Sequence, residues 1–375
     1  METGHSHLLH TAARNHRLGM LGLGTLLALI AIGLEFSALR FDLFRSDVAA
    51  YWQDSLNWRA PYHTFHVPGY ALLIAALRGI TSNTFPPLLY MIFVTSVSLL
   101  LSMYVIYRTS RLFVGPDHPV TIIMPFLLAF WPLAGLYAVI YPIADYLVIA
   151  LFLLGIFLFM RNQPLLGSLA WAGAVITHKA IWPFIAFSFL AWGFWQRRQF
   201  SWKWLLYPLI ILSPLVVIWI GGASYHHDWK WILSSNLNEI KDNKLWYPFH
   251  GILESFAVGD AASLLKGTVT TGYGLLAAFL LWYLFTRKPK YYLFGCAVAI
   301  SALIMAMSLN EGLTWGFVRF GRLLVLPLGL VIAHRYTQQT LQPRKWLKAA
   351  GVATAVLCVI SQFVYTYYIG KIYFQ

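Results

Sequence analysis

The sequence contains few charged residues. Only 11 % of its 375 residues are charged, and Asp and Glu are scarcer than Lys and Arg, at 13 against 27. A typical soluble domain carries about 25 % charged residues, so this composition excludes an ordinary soluble protein. Hydrophobic residues make up 59 % of the chain and occur in long, non-alternating runs. Such runs predict membrane-spanning helices rather than barrel strands, so we expect an all-α polytopic membrane protein.

Cysteine and the common cofactor motifs are also sparse. The two cysteines, Cys296 and Cys358, each lie in an apolar run and suggest neither a disulfide framework nor a metal cluster. The sequence has no P-loop, glycine-rich dinucleotide motif, HExxH or GxSxG. The adjacent His226 and His227 lack an obviously spaced third ligand. No metal and no other cofactor is therefore predicted.

The apolar runs and the basic loops together predict a topology. Short loops rich in Lys and Arg mark the cytoplasmic face, and this rule gives an inner charge of +13 and an outer charge of +1 from the total of +14. The basic excess therefore reports orientation and does not indicate nucleic acid. We expect one integral domain over 1–375 in a plasma or inner membrane, with residues 1–17 cytoplasmic. The eleven predicted spans are about 18–34, 85–107, 119–138, 142–160, 165–178, 181–196, 204–220, 268–286, 291–309, 318–334 and 347–369.

Two outer segments, 35–84 and 221–267, are too long to be turns. Both are rich in Trp, Tyr and Phe, which argues against disorder. In the first, apolar residues recur at helical spacing from Val48 to Leu56 and predict an amphipathic helix lying in the membrane interface. The stretch 66–80 is apolar but short, and we interpret it as a second interfacial helix.

Two carboxylates occupy positions suited to chemistry. Asp47 begins the interfacial helix, where it can act as a general base or simply cap the helix. Asp145 lies in the first turn of a membrane helix, where a carboxylate usually faces a cavity or a partner. The alternative for Asp145 is that it only stabilises the positive end of the helix dipole.

Four cationic or titratable side chains are predicted at outer helix ends. His178 and Lys179 are adjacent, whereas Arg319 and Arg322 are three residues apart and share one helix face. Two guanidinium groups on one face can bind a phosphate group bidentately. The alternative is that these side chains reach lipid headgroups.

Several segments resemble the glycosyltransferase C (GT-C) superfamily, whose members use lipid-phosphate-linked sugars on the extracytoplasmic face. Asp47 with Tyr51, then Ala60-Pro61-Tyr62, then Phe65-His66-Val67-Pro68-Gly69-Tyr70 is similar to the first outer loop of that superfamily. The run from Tyr141 to Asp145 resembles its second acidic position, and Arg319 to Arg322 ahead of Leu326-Pro327 resembles its late arginine helix. The first loop has no Asp-x-Asp pair, which argues against a metal-dependent variant. No large soluble C-terminal domain follows, which argues against an oligosaccharyltransferase.

The resemblance implies transfer of a hexose such as mannose from a polyprenyl-phosphate donor to an extracytoplasmic glycan, lipid or protein acceptor, with inversion. It implies catalytic roles for Asp47 and Asp145, phosphate binding by Arg319, Arg322, Lys179 and His178, and sugar or acceptor contacts for Tyr51, Tyr62 and His66. The alternatives are a cell-envelope polysaccharide polymerase or ligase, a lipid-linked substrate transporter or flippase, and a non-catalytic assembly subunit. A transporter would place its ionisable groups near the bilayer midplane, whereas these cluster at the outer surface.

Overall fold

The structure, a computed structural model, describes residues 46–57, 67–115, 118, 120–131, 143–197, 201–230, 249–308 and 319–338. Within these ranges all regular structure is helical and no strand occurs. Three short 3₁₀ helices (Lys179–Ile181, Trp202–Leu205 and Gly321–Leu324) interrupt the α-helices. The α-helices of the described residues are α1 (Ser46–Leu56), α2 (Gly69–Ile80), α3 (Pro87–Phe113), α4 (Val120–Ala129), α5 (Asp145–Met160), α6 (Pro164–Val175), α7 (Trp182–Gln196), α8 (Leu206–His226), α9 (His250–Val258), α10 (Ala261–Arg287), α11 (Tyr292–Ser308) and α12 (Val325–Gln338).

Three of these helices are long and apolar enough to cross a membrane: α3, α8 and the part of α10 from Ser263 to Arg287. They fall on three of the eleven predicted spans. The other described helices on predicted spans have 10 to 17 residues, which is short of the ~20 residues that a perpendicular crossing needs. The predicted spans 18–34 and 347–369 lie outside the described residues. The number of spans therefore stays a prediction.

Helix α5 lies inside the bundle and packs against α3 and α6. Its sequence is almost entirely apolar after Asp145, as expected for a helix covered on all sides. The ring of Trp171 on α6 stacks on Phe159 of α5 at a centroid distance of 4.3 Å. Gly155 makes this approach possible, because a Cβ there would lie 2.2 Å from the indole nitrogen of Trp171. The same nitrogen donates a hydrogen bond to the carbonyl of Phe152 over 3.0 Å.

The helices of the first predicted outer loop pack on protein. The face of α1 that was expected to lie in the membrane interface is buried, with Val48, Tyr51 and Trp52 at most 8 % exposed. They form an apolar cluster with α2, with the start of α3, and with Ile143 and Ala144 ahead of α5. Leu56, the last residue of that face, remains 42 % exposed. The aromatic side chains of α1 therefore pack on protein. The helical periodicity of α1 alone does not show whether its apolar face packs on protein or on lipid.

The helices that flank the second predicted outer loop extend into it. Helix α8 continues to His226 and α10 begins at Ala261, so both extend beyond the predicted loop boundaries of 221 and 267. His227 adopts a left-handed conformation, with φ of 52°, and ends α8. Helix α9 lies in this segment and packs on α10.

Candidate functional site

Asp145 is the first residue of α5 and is fully buried. Its Oδ2 atom lies 3.3 Å from Nη2 of Arg322 and 3.5 Å from Nε of Arg319. A buried carboxylate is costly unless it is paired, and here two arginines from a distant part of the chain supply the pairing. The sequence left open whether Asp145 faces a partner or only stabilises the helix dipole. The structure shows the partner, and the place of Asp145 in the first turn of α5 also suits the dipole.

Arg322 is held on several sides. It lies in the 3₁₀ turn Gly321–Leu324 and is fully buried. Its Nε donates a hydrogen bond to the carbonyl of Arg319 over 2.6 Å, and its guanidinium lies 4.4 Å from the ring centroid of Tyr146. A desolvated guanidinium over an aromatic ring is a favourable cation–π arrangement. The side chain is therefore fixed by a carboxylate, a carbonyl and a ring.

The three side chains of this cluster differ in charge and in exposure. Two arginines face one carboxylate, which leaves a net charge of +1 for the three side chains. Arg319 is the more accessible cation, at 19 % exposed against 0 % for Arg322. Among the described residues, Oδ1 of Asp145 and Nη1 of Arg322 are buried without a hydrogen-bond partner. Unused hydrogen-bonding capacity beside two guanidinium groups suits an anionic oxygen ligand.

A turn next to this cluster carries His178 and Lys179. The side chain of His178 caps the 3₁₀ helix Lys179–Ile181, its Nδ1 accepting a hydrogen bond from the amide of Ala180 over 3.1 Å. The His178 ring packs against Phe320, between the two arginines in sequence, at a centroid distance of 5.1 Å. Lys179 is partly buried at the start of the turn. The predicted cations from both parts of the chain therefore share one end of the bundle.

The first predicted outer loop contacts the same turn. The amide of Gly69 donates a hydrogen bond to the carbonyl of Ile176 over 2.7 Å. The approach is so close that a Cβ on Gly69 would lie 2.6 Å from that oxygen. The start of α2 therefore rests directly on the turn that leads to His178.

Helix α1 joins this region through aromatic packing. Tyr51 meets Tyr70 of α2 edge to face at a centroid distance of 5.0 Å, and both lie in the apolar cluster that includes Ile143 and Ala144. Asp47 lies in the first turn of α1, and its side chain lies outside the described part of the structure. Tyr62 and His66 also fall outside the described residues, so their predicted roles stay predictions.

Three aromatic residues of this region escaped prediction. Tyr146 supports Arg322, Phe320 packs on His178, and Tyr70 contacts Tyr51. Each is adjacent or close in sequence to a predicted polar residue or segment. For Tyr146 the usable signal is the tendency of guanidinium groups to pair with aromatic faces. In the part of the chain that is described, no group of three or more His, Cys, Asp or Glu side chains could hold a metal ion.

Comparisons with known proteins give a likeness in fold. No protein-family model matches the sequence, and no curated protein matches it. Among solved structures, the fold is similar to that of the oligosaccharyltransferase AglB from Archaeoglobus fulgidus in complex with an inhibitory peptide and a dolichol-phosphate, with a TM-score of 0.50 and 13 % identity over 95 % of this chain and 55 % of that one. It is likewise similar to the apo crystal structure of the Archaeoglobus fulgidus oligosaccharyltransferase, with a TM-score of 0.53 and 11 % identity over 94 % of this chain and 55 % of that one.

The chain thus spans about half the length of the solved structures that it resembles. At 11–13 % identity the likeness concerns the overall fold alone, and a helical membrane-enzyme fold agrees with the all-α architecture that the sequence predicts. The argument from the sequence against an oligosaccharyltransferase rested on a large soluble C-terminal domain. The likeness covers 55 % of each solved chain and does not test that argument.

Proposed function

We propose that this chain is a GT-C-type membrane glycosyltransferase. It transfers a hexose, such as mannose, from a polyprenyl-phosphate donor to an acceptor on the extracytoplasmic face. The observation that carries the proposal is the cluster of Asp145, Arg319 and Arg322, with its net positive charge at the end of an apolar helix. A lipid-linked phosphate requires this combination of an anion site and a membrane-embedded fold.

The two arginines have different roles in phosphate binding. Arg319 is partly exposed and engages the donor phosphate directly. Arg322 is buried and holds both the carboxylate of Asp145 and the carbonyl of Arg319, so it positions the first arginine. His178 and Lys179 add donors from the neighbouring turn. These groups stabilise the charge that develops on the phosphate as it leaves.

Asp47 is the general base of the proposed reaction. Its carboxylate takes the proton of the acceptor hydroxyl while that oxygen attacks the anomeric carbon from the side opposite the phosphate. The bond between the anomeric carbon and the phosphate oxygen breaks, the configuration inverts, and polyprenyl phosphate leaves. A phosphate is a weak base and needs no general acid. Asp145 positions the arginines, and Tyr51, Tyr62 and His66 contact the sugar or the acceptor.

The comparisons support the class of chemistry. One of the similar structures is a complex of AglB with a dolichol-phosphate and a peptide, and a dolichol-phosphate has the same chemical character as the proposed donor. Because the identity is 13 %, the likeness bears on the fold, and the acceptor of this chain is left as a glycan, lipid or protein. The site would face outward from a plasma or inner membrane.

Sugar transfer by the purified, detergent-solubilised chain tests the proposal. With a polyprenyl-phosphate hexose and a mixture of cell-envelope acceptors, the wild type should release polyprenyl phosphate and form an inverted glycoside. Asp47→Asn keeps the shape and most of the capping capacity of the side chain, and the loss of a general base should slow transfer by ~10²–10⁴-fold.

The matched control is Asp228→Asn, because Asp228 is an exposed carboxylate after α8 and lies on the same predicted face. This variant should transfer sugar at the wild-type rate. If Asp47→Asn is also unimpaired, Asp47 is not the general base, and a folded but inactive Asp145→Asn would move the search for the base to the Asp145 cluster. If neither change alters transfer, neither carboxylate takes part in the reaction, and if the wild type releases no polyprenyl phosphate, the chain is not this kind of glycosyltransferase.

A further inference from the structure

A cavity of about 630 Å³ lies at the end of the bundle opposite to Asp145. Its lining comes from Asn162 after the end of α5, from residues 194–197 at the end of α7, and from Tyr292 and Leu293 at the start of α11. Helix α5 separates this cavity from Asp145, and its 16 residues extend over about 24 Å. The cavity is therefore distinct from the site described above.

The wall of this cavity is ordered by specific contacts. The amide nitrogen of Gln196 donates a hydrogen bond to Oδ1 of Asn162 over 2.9 Å, which joins α7 to the turn after α5. Trp195 stacks on Tyr291 at a centroid distance of 5.2 Å and an interplanar angle of 16°. The ammonium group of Lys290 lies 4.9 Å from the centroid of the same tyrosine ring. The rim thus combines fixed amide groups, stacked aromatic rings and a cation.

This end of the bundle is cationic. Arg161, Arg197 and Lys290 are all exposed there. The structure describes the side chains of five carboxylates, and all of them lie toward the other end of the bundle. Asp145 begins α5, Asp228 follows α8, Glu254 lies on α9, Asp260 precedes α10, and Asp54 lies on α1, which packs near the start of α5. The helices α8 and α10, with 21 and 27 residues, place their acids about 30–40 Å from this end. Within the described residues, the cations around the cavity therefore have no acidic neighbours to neutralise them.

We propose that the cavity binds the phosphate headgroup of an anionic phospholipid. Arg197 lines the cavity and supplies the charge, while Asn162 and Gln196 supply amide groups. Phe194, another lining residue, is 64 % exposed beside them, which suits contact with the lipid chains. Basic pockets between membrane helices on the cytoplasmic side are suited to anionic headgroups, and the basic loops predict that this end is the cytoplasmic one.

Lipid titration of the purified full-length chain tests this site independently of sugar transfer. Native mass spectrometry should show that phosphatidylglycerol binds more tightly than phosphatidylcholine. Arg197→Gln should weaken phosphatidylglycerol binding about fivefold, the effect expected for one basic residue near an anionic surface. The matched control is Arg111→Gln, because Arg111 is exposed at the same end, with its guanidinium 5.7 Å from the Tyr107 ring centroid, and does not line the cavity.

Three results would overturn the proposal. The first is equal binding of phosphatidylcholine, which would remove the role of the anionic headgroup. The second is an equal loss in Arg111→Gln, which would reduce the effect to overall charge. The third is displacement of the lipid by millimolar inorganic phosphate, which would assign the cavity to a free anion. Sugar transfer by Arg197→Gln should stay near the wild-type rate in detergent, so failure here and failure of the proposed glycosyltransferase activity are distinguishable.

Discussion

Asp145 and Arg322 are 177 residues apart in the sequence, and their side chains form an ion pair of 3.3 Å in the interior of the protein. Neither side chain has any exposed surface. The pair joins the start of α5 to the turn before α12, and the second arginine of that turn, Arg319, lies on the same carboxylate oxygen. The candidate site is therefore held together by an interaction that also connects two distant parts of the fold.

Removing one member of this pair should destabilise the protein strongly. Asp145→Asn leaves Arg322 without its buried counter-ion, and a broken buried pair costs ~3–5 kcal/mol. Replacing both residues with apolar ones, as in Asp145→Leu with Arg322→Met, should cost less, because the fully buried guanidinium of Arg322 is removed together with the carboxylate and only the partly exposed Arg319 loses Asp145 as a partner. Equilibrium unfolding in mixed micelles measures the difference. The control is Glu254→Gln, whose partner His250 lies 3.6 Å away at a partly exposed site, and which should cost less than ~1 kcal/mol. A single variant as stable as the wild type would contradict the observed pairing.

Donor binding should separate the two arginines. Arg319→Ala removes the accessible guanidinium, and loss of a charge-assisted hydrogen bond of ~1.5–3 kcal/mol should weaken polyprenyl-phosphate binding about 10- to 100-fold. Arg319→Lys should recover little of this loss, because an ammonium group lacks the planar fork of a guanidinium. Arg322→Ala should mainly lower the stability of the protein, because Arg322 is the buried counter-ion of Asp145. Binding of a fluorescent polyprenyl phosphate in nanodiscs reports the affinities.

Arg335 supplies the control for that experiment. It lies at the other end of α12, exposed, with its guanidinium 5.3 Å from the ring centroid of Tyr283. Arg335→Ala should bind the donor as the wild type does. An unchanged affinity in Arg319→Ala would exclude this residue from the phosphate site.

The sequence identified the residues of the Asp145 cluster but not the contacts between them. Charge placement in the loops put Asp145, Lys179 and Arg319 at the same end of the helices, and the structure brings that carboxylate to that arginine. The ion pair itself is not predictable from local pattern, because helical spacing relates residues three or four apart and not 177. The spacing of Arg319 and Arg322 suggested two equivalent ligands, whereas burial distinguishes them.

The helix predictions also show what a local sequence pattern can and cannot identify. Long apolar runs identified α3 and α8, because length and hydropathy are properties of one segment. The periodicity from Val48 to Leu56 correctly predicted a helix and misplaced its apolar face, which packs on Tyr70 and Tyr90 instead of lipid. Hydrophobic surface is buried equally well by lipid or by protein, so the pattern alone cannot identify the partner.

The contact between the first loop and the turn at Ile176 should be sensitive to a single methyl group. Gly69→Ala places a Cβ 2.6 Å from the carbonyl oxygen of Ile176, which is backbone and cannot rotate away. The resulting shift of α2 should cost ~1–3 kcal/mol and should slow sugar transfer by displacing the turn that carries His178. Gly79→Ala on the same helix is the control, because nothing lies within 4 Å of its Cβ position. That variant should gain ~0.5–1 kcal/mol from the higher helix propensity of alanine. Equal stability of the two variants would show that the contact is unimportant.

Labelling of single cysteines in intact cells should establish which end of the bundle faces outward. The native cysteines, Cys296 and Cys358, are first replaced by alanine. Asp228→Cys, at an exposed position after α8, should react with a membrane-impermeant maleimide from outside. Arg161→Cys, exposed after the other end of α5 from Asp145, should react only after permeabilisation, since basic loops remain cytoplasmic. Both sites are exposed, so a difference in labelling reports sidedness rather than burial. Labelling of position 161 in intact cells would reverse the orientation, and would place the Asp145 cluster on the cytoplasmic side, where the proposed extracytoplasmic transfer could not occur.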